Sequence, residues 1–149
     1  MSIPAFRADG WLPEGHHAAD WEEISAVFGG EPGGKRCELL NRLLQWRNAL
    51  RDKGMSGLLI LNGSFISQKE RPGDVDAIFV YDDATVLIAQ KDADAALLLN
   101  HVSIKASGLG DVFVFAERTV NRFPAMCRLD GFDRIKDTNA LKGVLEVII

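Results

Sequence analysis

The sequence predicts one α+β domain, and its length and two apolar patterns support this fold class. The chain has 149 residues, enough for one domain that buries about two-thirds of its unfolded surface. Two stretches, 19–28 and 35–53, repeat apolar residues at helical spacing. Four short apolar runs are typical of strands: 58–61, 74–81, 108–117 and 143–149. Helices and strands therefore occur in one chain of single-domain size.

The composition narrows the class of protein. Apolar residues make up 47% and charged residues 26% of the chain, which is ordinary for a globular protein. The net charge of -4 argues against a general nucleic-acid binder, which needs a basic excess to displace counterions. The longest apolar runs are much shorter than the roughly 20 residues of a membrane span, and the first residues lack a signal pattern. We therefore expect a cytoplasmic protein without membrane contact.

The first 34 residues are expected to form an arm that wraps over a domain at 35–149, the two making one globular unit. The arm contains three prolines and six glycines, and its one predicted helix, at 19–28, has Asp20 as a candidate N-cap. His16 and His17 precede this helix. Adjacent histidines can bind metal, but no third ligand follows at helical spacing, so a structural or surface role is favoured.

The helix at 35–53 has a continuous apolar face and ends before Gly54, a typical C-terminal cap. Six of the seventeen basic residues of the chain fall within this helix. A local basic patch is one interpretation of this cluster. A solvated helix face explains it more simply.

The region after the second predicted strand allows two interpretations. The β-branched residues of 84–90 favour a strand, whereas 93–107 has an apolar stripe and is predicted as a helix. His101 lies near that stripe and is expected to be packed or half-exposed. Asp82 and Asp83 are expected in an exposed turn or a helix cap.

The last part of the sequence predicts a short helix and a final strand. The helix is expected at 119–128, interrupted at Pro124. The run at 143–149 is rich in β-branched residues, and an unpaired strand of this kind promotes aggregation. We therefore expect it as a paired strand, inside the fold or at a protein interface.

Two aspartates open the second predicted strand. Because strand residues alternate faces, Asp74 and Asp76 project from the same side. Neighbouring carboxylates repel each other unless a cation lies between them, and oxygen ligands at fixed adjacent positions suit Mg²⁺. Gly63 and Ser64, after the first strand, provide a turn without a side chain and a hydroxyl, which suit a closely approaching phosphate. Together these residues predict a site for a metal-bound polyphosphate.

A strand followed by Gly63-Ser64, a gap of nine residues and Asp74-x-Asp76 at the next strand resemble the signature of the nucleotidyltransferase superfamily, the fold of DNA polymerase beta. The motifs LPEGHH at 12–17 and LKGVLEVII at 141–149 resemble the flanks of a bacterial family of single-domain nucleotidyltransferase-like proteins with uncharacterised activity. The resemblance implies a mixed sheet of about four to five strands, with helices packed mainly on one face.

Enzymes of this superfamily usually hold a third carboxylate on a neighbouring strand, where it helps to bind metal and takes the proton of the attacking hydroxyl. The resemblance favours Asp111, at the start of the third predicted strand, with Glu117 as its rival at the other end. A simple strand-end acid is an equally good interpretation. Lys69 and Arg71, in the loop between the first two strands, are candidates for contact with a triphosphate, although exposed loops commonly carry such cations.

The resemblance implies a metal-dependent nucleotidyltransferase. Two Mg²⁺ ions on Asp74, Asp76 and Asp111 would assist transfer of a nucleoside monophosphate from a nucleoside triphosphate, whose phosphates Gly63 and Ser64 would bind. The acceptor would be a hydroxyl of a protein, an RNA or a small molecule. Small members of this superfamily are often found in toxin-antitoxin or defence modules, where they modify a partner. The resemblance suggests such a context here. The lack of a separate helical domain suggests a partner protein or a second copy of the chain.

Two alternatives stay open. The same fold can be retained as a catalytically inactive binding or nucleotide-sensing module, or the motif can be coincidental, with both aspartates capping a turn in an unrelated α/β domain. The enzyme interpretation predicts three carboxylates within metal-sharing distance that face an open cleft. Carboxylates splayed apart, buried against cations of the protein, or covered by the N-terminal arm would contradict it.

Overall fold

The computed structural model describes residues 2–123 and 140–149. Within these ranges the strands are β1 (Gly15–Ala18), β2 (Gly57–Asn62), β3 (Val75–Tyr81), β4 (Gly110–Ala116) and β5 (Gly143–Ile148). The helices are α1 (Trp21–Phe28), α2 (Lys35–Asp52), α3 (Asp83–Lys91), α4 (Ala93–Leu98), α5 (His101–Ala106) and α6 (Glu117–Arg122), with a 3₁₀ turn at Ser64–Ile66. The predicted α+β class is confirmed.

The five strands form one mixed sheet in the order β1-β5-β2-β3-β4. β2 runs antiparallel to both of its neighbours, whereas the outer pairs, β1 with β5 and β3 with β4, are parallel. The final strand is thus paired inside the fold, as expected. This topology brings the end of β2 and the starts of β3, β4 and β5 to the same end of the sheet.

One face of the sheet packs against helices α1, α2, α4 and α5. Alternate strand residues point to this face and are fully buried, among them Leu59, Leu61, Ala77 and Phe79. The indole of Trp46 in α2 packs edge-on against Phe79, with 5.3 Å between the ring centroids. Burial of each large apolar side chain contributes about 1.5–3 kcal/mol, so this layer holds the sheet that carries the candidate site.

The opposite face carries a smaller apolar cluster of Ile60, Ile78 and Val144. Val120 of α6 lines a cavity on this face, so the helices lie mainly, but not wholly, on the other side. Because strand residues alternate, Asp76 and Asp111 share this second face. They lie where β3 and β4 begin, and we call this end of the sheet the carboxylate end.

The N-terminal arm contributes a strand that the sequence does not predict. β1 pairs in parallel with β5, with Gly15 opposite Gly143. Its four residues include no β-branched side chain, so the usual strand signal is missing. The arm also adds apolar side chains to the core: Ile3, Phe6 and Leu12. It therefore covers part of the domain and also joins its sheet.

Residues 84–90 lie in α3, so the strand interpretation of their β-branched residues is wrong. Asp82 is the N-cap, and its carboxylate accepts hydrogen bonds from the backbone N–H and the hydroxyl of Thr85 at 2.9 and 2.8 Å. The same carboxylate accepts a hydrogen bond from the Ser56 hydroxyl. The expected helix cap at Asp82 is confirmed, and it outweighs the strand propensity of the residues that follow.

The helix predicted at 93–107 is two short helices, α4 and α5. Asn100 separates them and caps α5, because its side chain accepts a hydrogen bond from the Ser103 N–H at 3.0 Å. α5 then packs on β4, where His101 stacks on Phe113 with 4.6 Å between ring centroids. The next helix, α6, begins at Glu117, earlier than predicted, and the part of that prediction from Pro124 to 128 lies outside the described residues.

The longest helix of the described ranges is α2, with 18 residues. Its outer side is polar and exposed, as at Gln45, Arg51 and Asp52. None of the helices in these ranges combines the length and hydrophobicity needed to cross a bilayer.

Replacing the α3 cap tests how much this helix depends on it. Asp82→Ala should destabilise the protein by about 1–2 kcal/mol, because the Thr85 N–H and the Ser56 hydroxyl lose their acceptor. The Thr85 hydroxyl keeps the Ser56 carbonyl oxygen, 3.0 Å away, as an acceptor. The melting temperature should fall by about 2–4 °C per kcal/mol in a domain of this size. Asp83→Ala is the matched control, since Asp83 is exposed and its side-chain partner is Arg118. Equal losses for the two variants would contradict the capping role.

Candidate functional site

Three carboxylates meet at the carboxylate end of the sheet. Asp74, Asp76 and Asp111 each offer one oxygen, and these oxygens all lie within 4.8 Å of one another. Asp76 and Asp111 are direct neighbours in the parallel register of β3 and β4. Asp74 comes just before β3, two residues from Asp76, so it belongs to the same face. All three are half-exposed, which leaves the cluster accessible from solvent.

Two glycines allow close approaches beside these carboxylates. Gly63 follows β2 with φ 76°, and a Cβ added there would lie 3.2 Å from the Asp76 Cγ and closer still to its Oδ2. Gly110 has φ 140°, and a Cβ there would clash with the backbone of Val75 and lie 3.0 Å from the Asp74 Cβ. Side chains rarely adopt either conformation. Gly63 is therefore required by the approach of the Asp76 carboxylate, and Gly110 chiefly by the approach of the β3 backbone at Val75.

The carboxylates repel each other, and Asp76 shows this most clearly. Burial, together with the charges of Asp74 and Asp111, raises the pKa of Asp76 to about 6, against the effect of Lys142 and Lys105. A divalent cation among these oxygens would remove the repulsion. Three carboxylate oxygens at this spacing are the hard donors that Mg²⁺ prefers, so the residues present fit the metal that the sequence implies.

Two side chains of α5 contact the third acid. The Lys105 Nζ and the His101 Nε2 each lie 3.0 Å from the Asp111 Oδ1. The hydrogen bond from Lys105, aided by that from His101, lowers the pKa of Asp111. Lys105 is 61% exposed, so a surface side chain neutralises the cluster on one side. His101 is half-buried, as expected, but its bond to Asp111 is not predicted by the sequence.

Lys142 is a second unpredicted residue at the site. It directly precedes β5, and its ammonium lies 4.3 Å from the centroid of the Trp11 ring. Burial lowers the pKa of Lys142, whereas the charge of Asp76 opposes that effect. The sequence contains no signal for this placement, because it depends on β5 lying beside β2.

The loop after Gly63 is fixed by an arginine from α2. The Arg36 guanidinium donates hydrogen bonds to the carbonyls of Phe65, Ser67 and Lys69. Ser64 opens the 3₁₀ turn and is half-buried, and its carbonyl accepts a hydrogen bond from the Ser67 hydroxyl at 2.7 Å. The predicted phosphate loop is therefore held in place by the protein itself.

The two loop cations lie in different places. Lys69 lines a cavity of about 490 Å³ together with Ser64 and Trp11. Arg71 lines a separate cavity beside Lys35, at the start of α2. Both cations are exposed. Lys69 thus borders the predicted phosphate loop, whereas the structure gives Arg71 no such connection.

The remaining candidates lie away from the carboxylates. Glu117 follows Ala116, which pairs with Tyr81 at the far end of β3, so Asp111 and not Glu117 joins the cluster. In β1, the His16 Nδ1 lies 2.7 Å from a carboxylate oxygen of Glu146. The His17 Nε2 lies 2.7 Å from the Pro13 carbonyl oxygen. Both histidines therefore have protein partners, which agrees with a structural role.

Comparison with known protein families gives a match over nearly the whole chain. The family of unknown function DUF6932 matches residues 4–148. No curated protein and no solved structure matches the chain. The family match covers β1 to β5 and all three acids.

The raised pKa of Asp76 predicts a pH-dependent stability. The pKa of Asp76 in the folded protein, about 6, exceeds the ordinary value of 3.8. Protonation of Asp76 therefore favours the folded state, and this stabilisation is lost as pH rises from 3.8 to about 6. In chelator-treated protein, Asp76→Asn should therefore raise the melting temperature near neutral pH and change it little below pH 3.8. The exposed Asp52→Asn is the control. An equal effect of Asp76→Asn at both pH values would contradict the assignment.

The close approach at Gly63 predicts a sharp contrast between two glycines of one loop. Gly63→Ala forces a strained φ and pushes against Asp76, and should destabilise the protein by about 1–3 kcal/mol in urea unfolding. Gly73→Ala is the matched control, because a Cβ there meets nothing within 4 Å. It should be neutral or slightly stabilising. Comparable losses at both positions would show that the close approach is not what requires glycine.

Proposed function

Since the chain belongs to DUF6932, a family of unknown function, we propose its activity from the site: it is a metal-dependent nucleotidyltransferase. It moves a nucleoside monophosphate from a nucleoside triphosphate to a hydroxyl of a protein, an RNA or a small molecule. The observation that carries this proposal is the cluster of Asp74, Asp76 and Asp111, with oxygens within 4.8 Å, directly beside Gly63 and Ser64. The resemblance of these motifs to the nucleotidyltransferase superfamily supports the same conclusion.

The three acids are proposed to hold two Mg²⁺ ions, which when bound neutralise the triphosphate and stabilise charge at the α-phosphorus. Asp74 and Asp76 face the same side and supply the first oxygens. Asp111 accepts the proton of the acceptor hydroxyl. It is positioned for this by the bond from His101, 3.0 Å from its Oδ1. The half-exposed cluster leaves space for the acceptor to approach.

The loop after β2 is proposed to bind the β and γ phosphates. The Ser64 hydroxyl and the backbone near Gly63 provide donors, and the positive φ of Gly63 lets a phosphate approach without a side chain in the way. Lys69 adds a positive charge at the cavity that Ser64 lines. Because Arg36 holds this loop, little ordering is required when the phosphates bind.

A nucleotide-sensing module without transfer activity is the second candidate. The observation that favours it is the contact of Asp111 with both Lys105 and His101. A third acid that is already neutralised is a weaker base and a weaker metal ligand. In this case the protein would bind the triphosphate through Asp74, Asp76 and Ser64 and would release it unchanged.

The setting of the reaction follows from its chemistry and from the resemblance. Nucleoside triphosphates are abundant in the cytoplasm, and we propose that the protein acts there. A partner protein or a second copy of the chain is proposed to complete the acceptor site, since the described residues form no separate helical domain beside the sheet. A toxin-antitoxin or defence module is the proposed context, by analogy with small members of the superfamily.

Transfer from labelled triphosphates tests the proposed function. With Mg²⁺, each α-labelled nucleoside triphosphate and a cell lysate, the protein should label a macromolecule or a small product. Asp76→Asn should reduce labelling by at least about 100-fold, and Asp83→Asn, at an exposed acid outside the site, should not. Saturable Mg²⁺-dependent nucleotide binding without labelling would favour the sensor. Failure of every nucleoside triphosphate to bind at millimolar concentration would reject both functions.

A further inference from the structure

Lys142 is a buried ammonium group at the carboxylate end of the sheet. The residue is only 6% exposed, and its charge lies over the Trp11 ring. Among the described residues, no carboxylate forms an ion pair with it, and Asp76 acts on it only through longer-range attraction. A buried charge costs free energy unless it is paired. Lys142 is therefore short of a negative partner.

The strand order gives Lys142 a defined position relative to the acids. Along the carboxylate end, β5, β2, β3 and β4 are neighbours in that order. At this end of the sheet they carry, in the same order, Lys142 before β5, Gly63 and Ser64 after β2, Asp76 in β3 and Asp111 in β4. In the proposed reaction the α-phosphorus lies at the carboxylates and the outer phosphates lie at Ser64. Lys142 is the next group in this row.

The space beside Ser64 is large enough for a phosphate chain. The cavity of about 490 Å³ that Ser64 and Lys69 line is also lined by Trp11, and volumes of this size are typical of small-molecule sites. The face of an indole attracts an ammonium group. Trp11 thus fixes Lys142 without neutralising its charge.

We propose that Lys142, held in place by Trp11, binds the pyrophosphate part of the triphosphate and stabilises it as it leaves. This assignment rests on the proposed function. The acceptor oxygen bonds to the α-phosphorus and its proton passes to a carboxylate. The bond from the α-phosphorus to the bridging oxygen breaks, and its electron pair goes to the pyrophosphate. Negative charge then grows on the side of Lys142, where a preorganised cation is most effective.

Calorimetric titration of the full chain with inorganic tripolyphosphate and Mg²⁺ tests this role without requiring turnover. Lys142→Met keeps most of the length of the side chain and removes its charge, and should weaken binding about 10- to 100-fold. Lys142→Arg should retain most of the affinity. A nucleoside monophosphate, which lacks the outer phosphates, should bind wild type and Lys142→Met equally. Lys105→Met is the matched control, because it removes an ammonium group on the opposite side of the acids, and it should not weaken tripolyphosphate binding.

The outcomes separate this assignment from the proposed function. Equal tripolyphosphate affinity of wild type and Lys142→Met would overturn the assignment and leave the nucleotidyltransferase proposal standing. A wild type that binds neither tripolyphosphate nor any nucleoside triphosphate would overturn both.

A second pair of variants covers the case in which Lys142→Met does not fold. Trp11→Leu releases the ammonium group and should weaken tripolyphosphate binding, whereas Trp11→Phe keeps an aromatic face and should restore most of it. A purely structural role of the pair would lower the melting temperature and leave the affinity of the folded protein unchanged. That result would overturn the assignment.

Discussion

The crowding of three negative charges at the start of two parallel strands is the constraint on which the rest of the site depends. The register of β3 and β4 sets Asp76 beside Asp111, and the alternation of strand residues adds Asp74 to the same face. Burial, together with the charges of the two neighbouring carboxylates, raises the pKa of Asp76 to about 6. The ionised Asp76 carboxylate destabilises the folded state in this arrangement, and the apolar layer on the opposite face of the sheet offsets that cost.

The backbone around the acids is organised by residues that do no chemistry themselves. Gly63 and Gly110 adopt conformations that side chains rarely reach: Gly63 lets the Asp76 carboxylate lie against the main chain, and Gly110 lets the β3 backbone approach at Val75. Arg36 holds the loop that follows Gly63 through three carbonyls. Because these contacts involve only the protein, the site has its shape before a ligand binds. Preorganisation of this kind reduces the ordering that binding would otherwise require.

The parts of the fold and site that can be predicted from the sequence are those with local signals. Asp74 and Asp76 lie two residues apart in one strand, so their shared face follows from its period alone. The strand order places Lys142 at the same end of the sheet as the acids. The α5 contacts of Asp111 depend on a break between two helices. No short sequence pattern encodes either feature. The strand interpretation of 84–90 is wrong for a related reason, since the cap at Asp82 outweighs propensity.

The two lysines nearest the acids differ in burial, and this difference separates their roles. Lys105 is 61% exposed, so moving its ammonium group from Asp111 into water costs little. A divalent ion that bonds to the same carboxylate can therefore take its place. Lys142 is buried and held by Trp11, so it stays where it is when the acids gain a cation. A positive charge that remains beside neutralised carboxylates attracts another anion. The outer phosphates of a triphosphate provide such an anion.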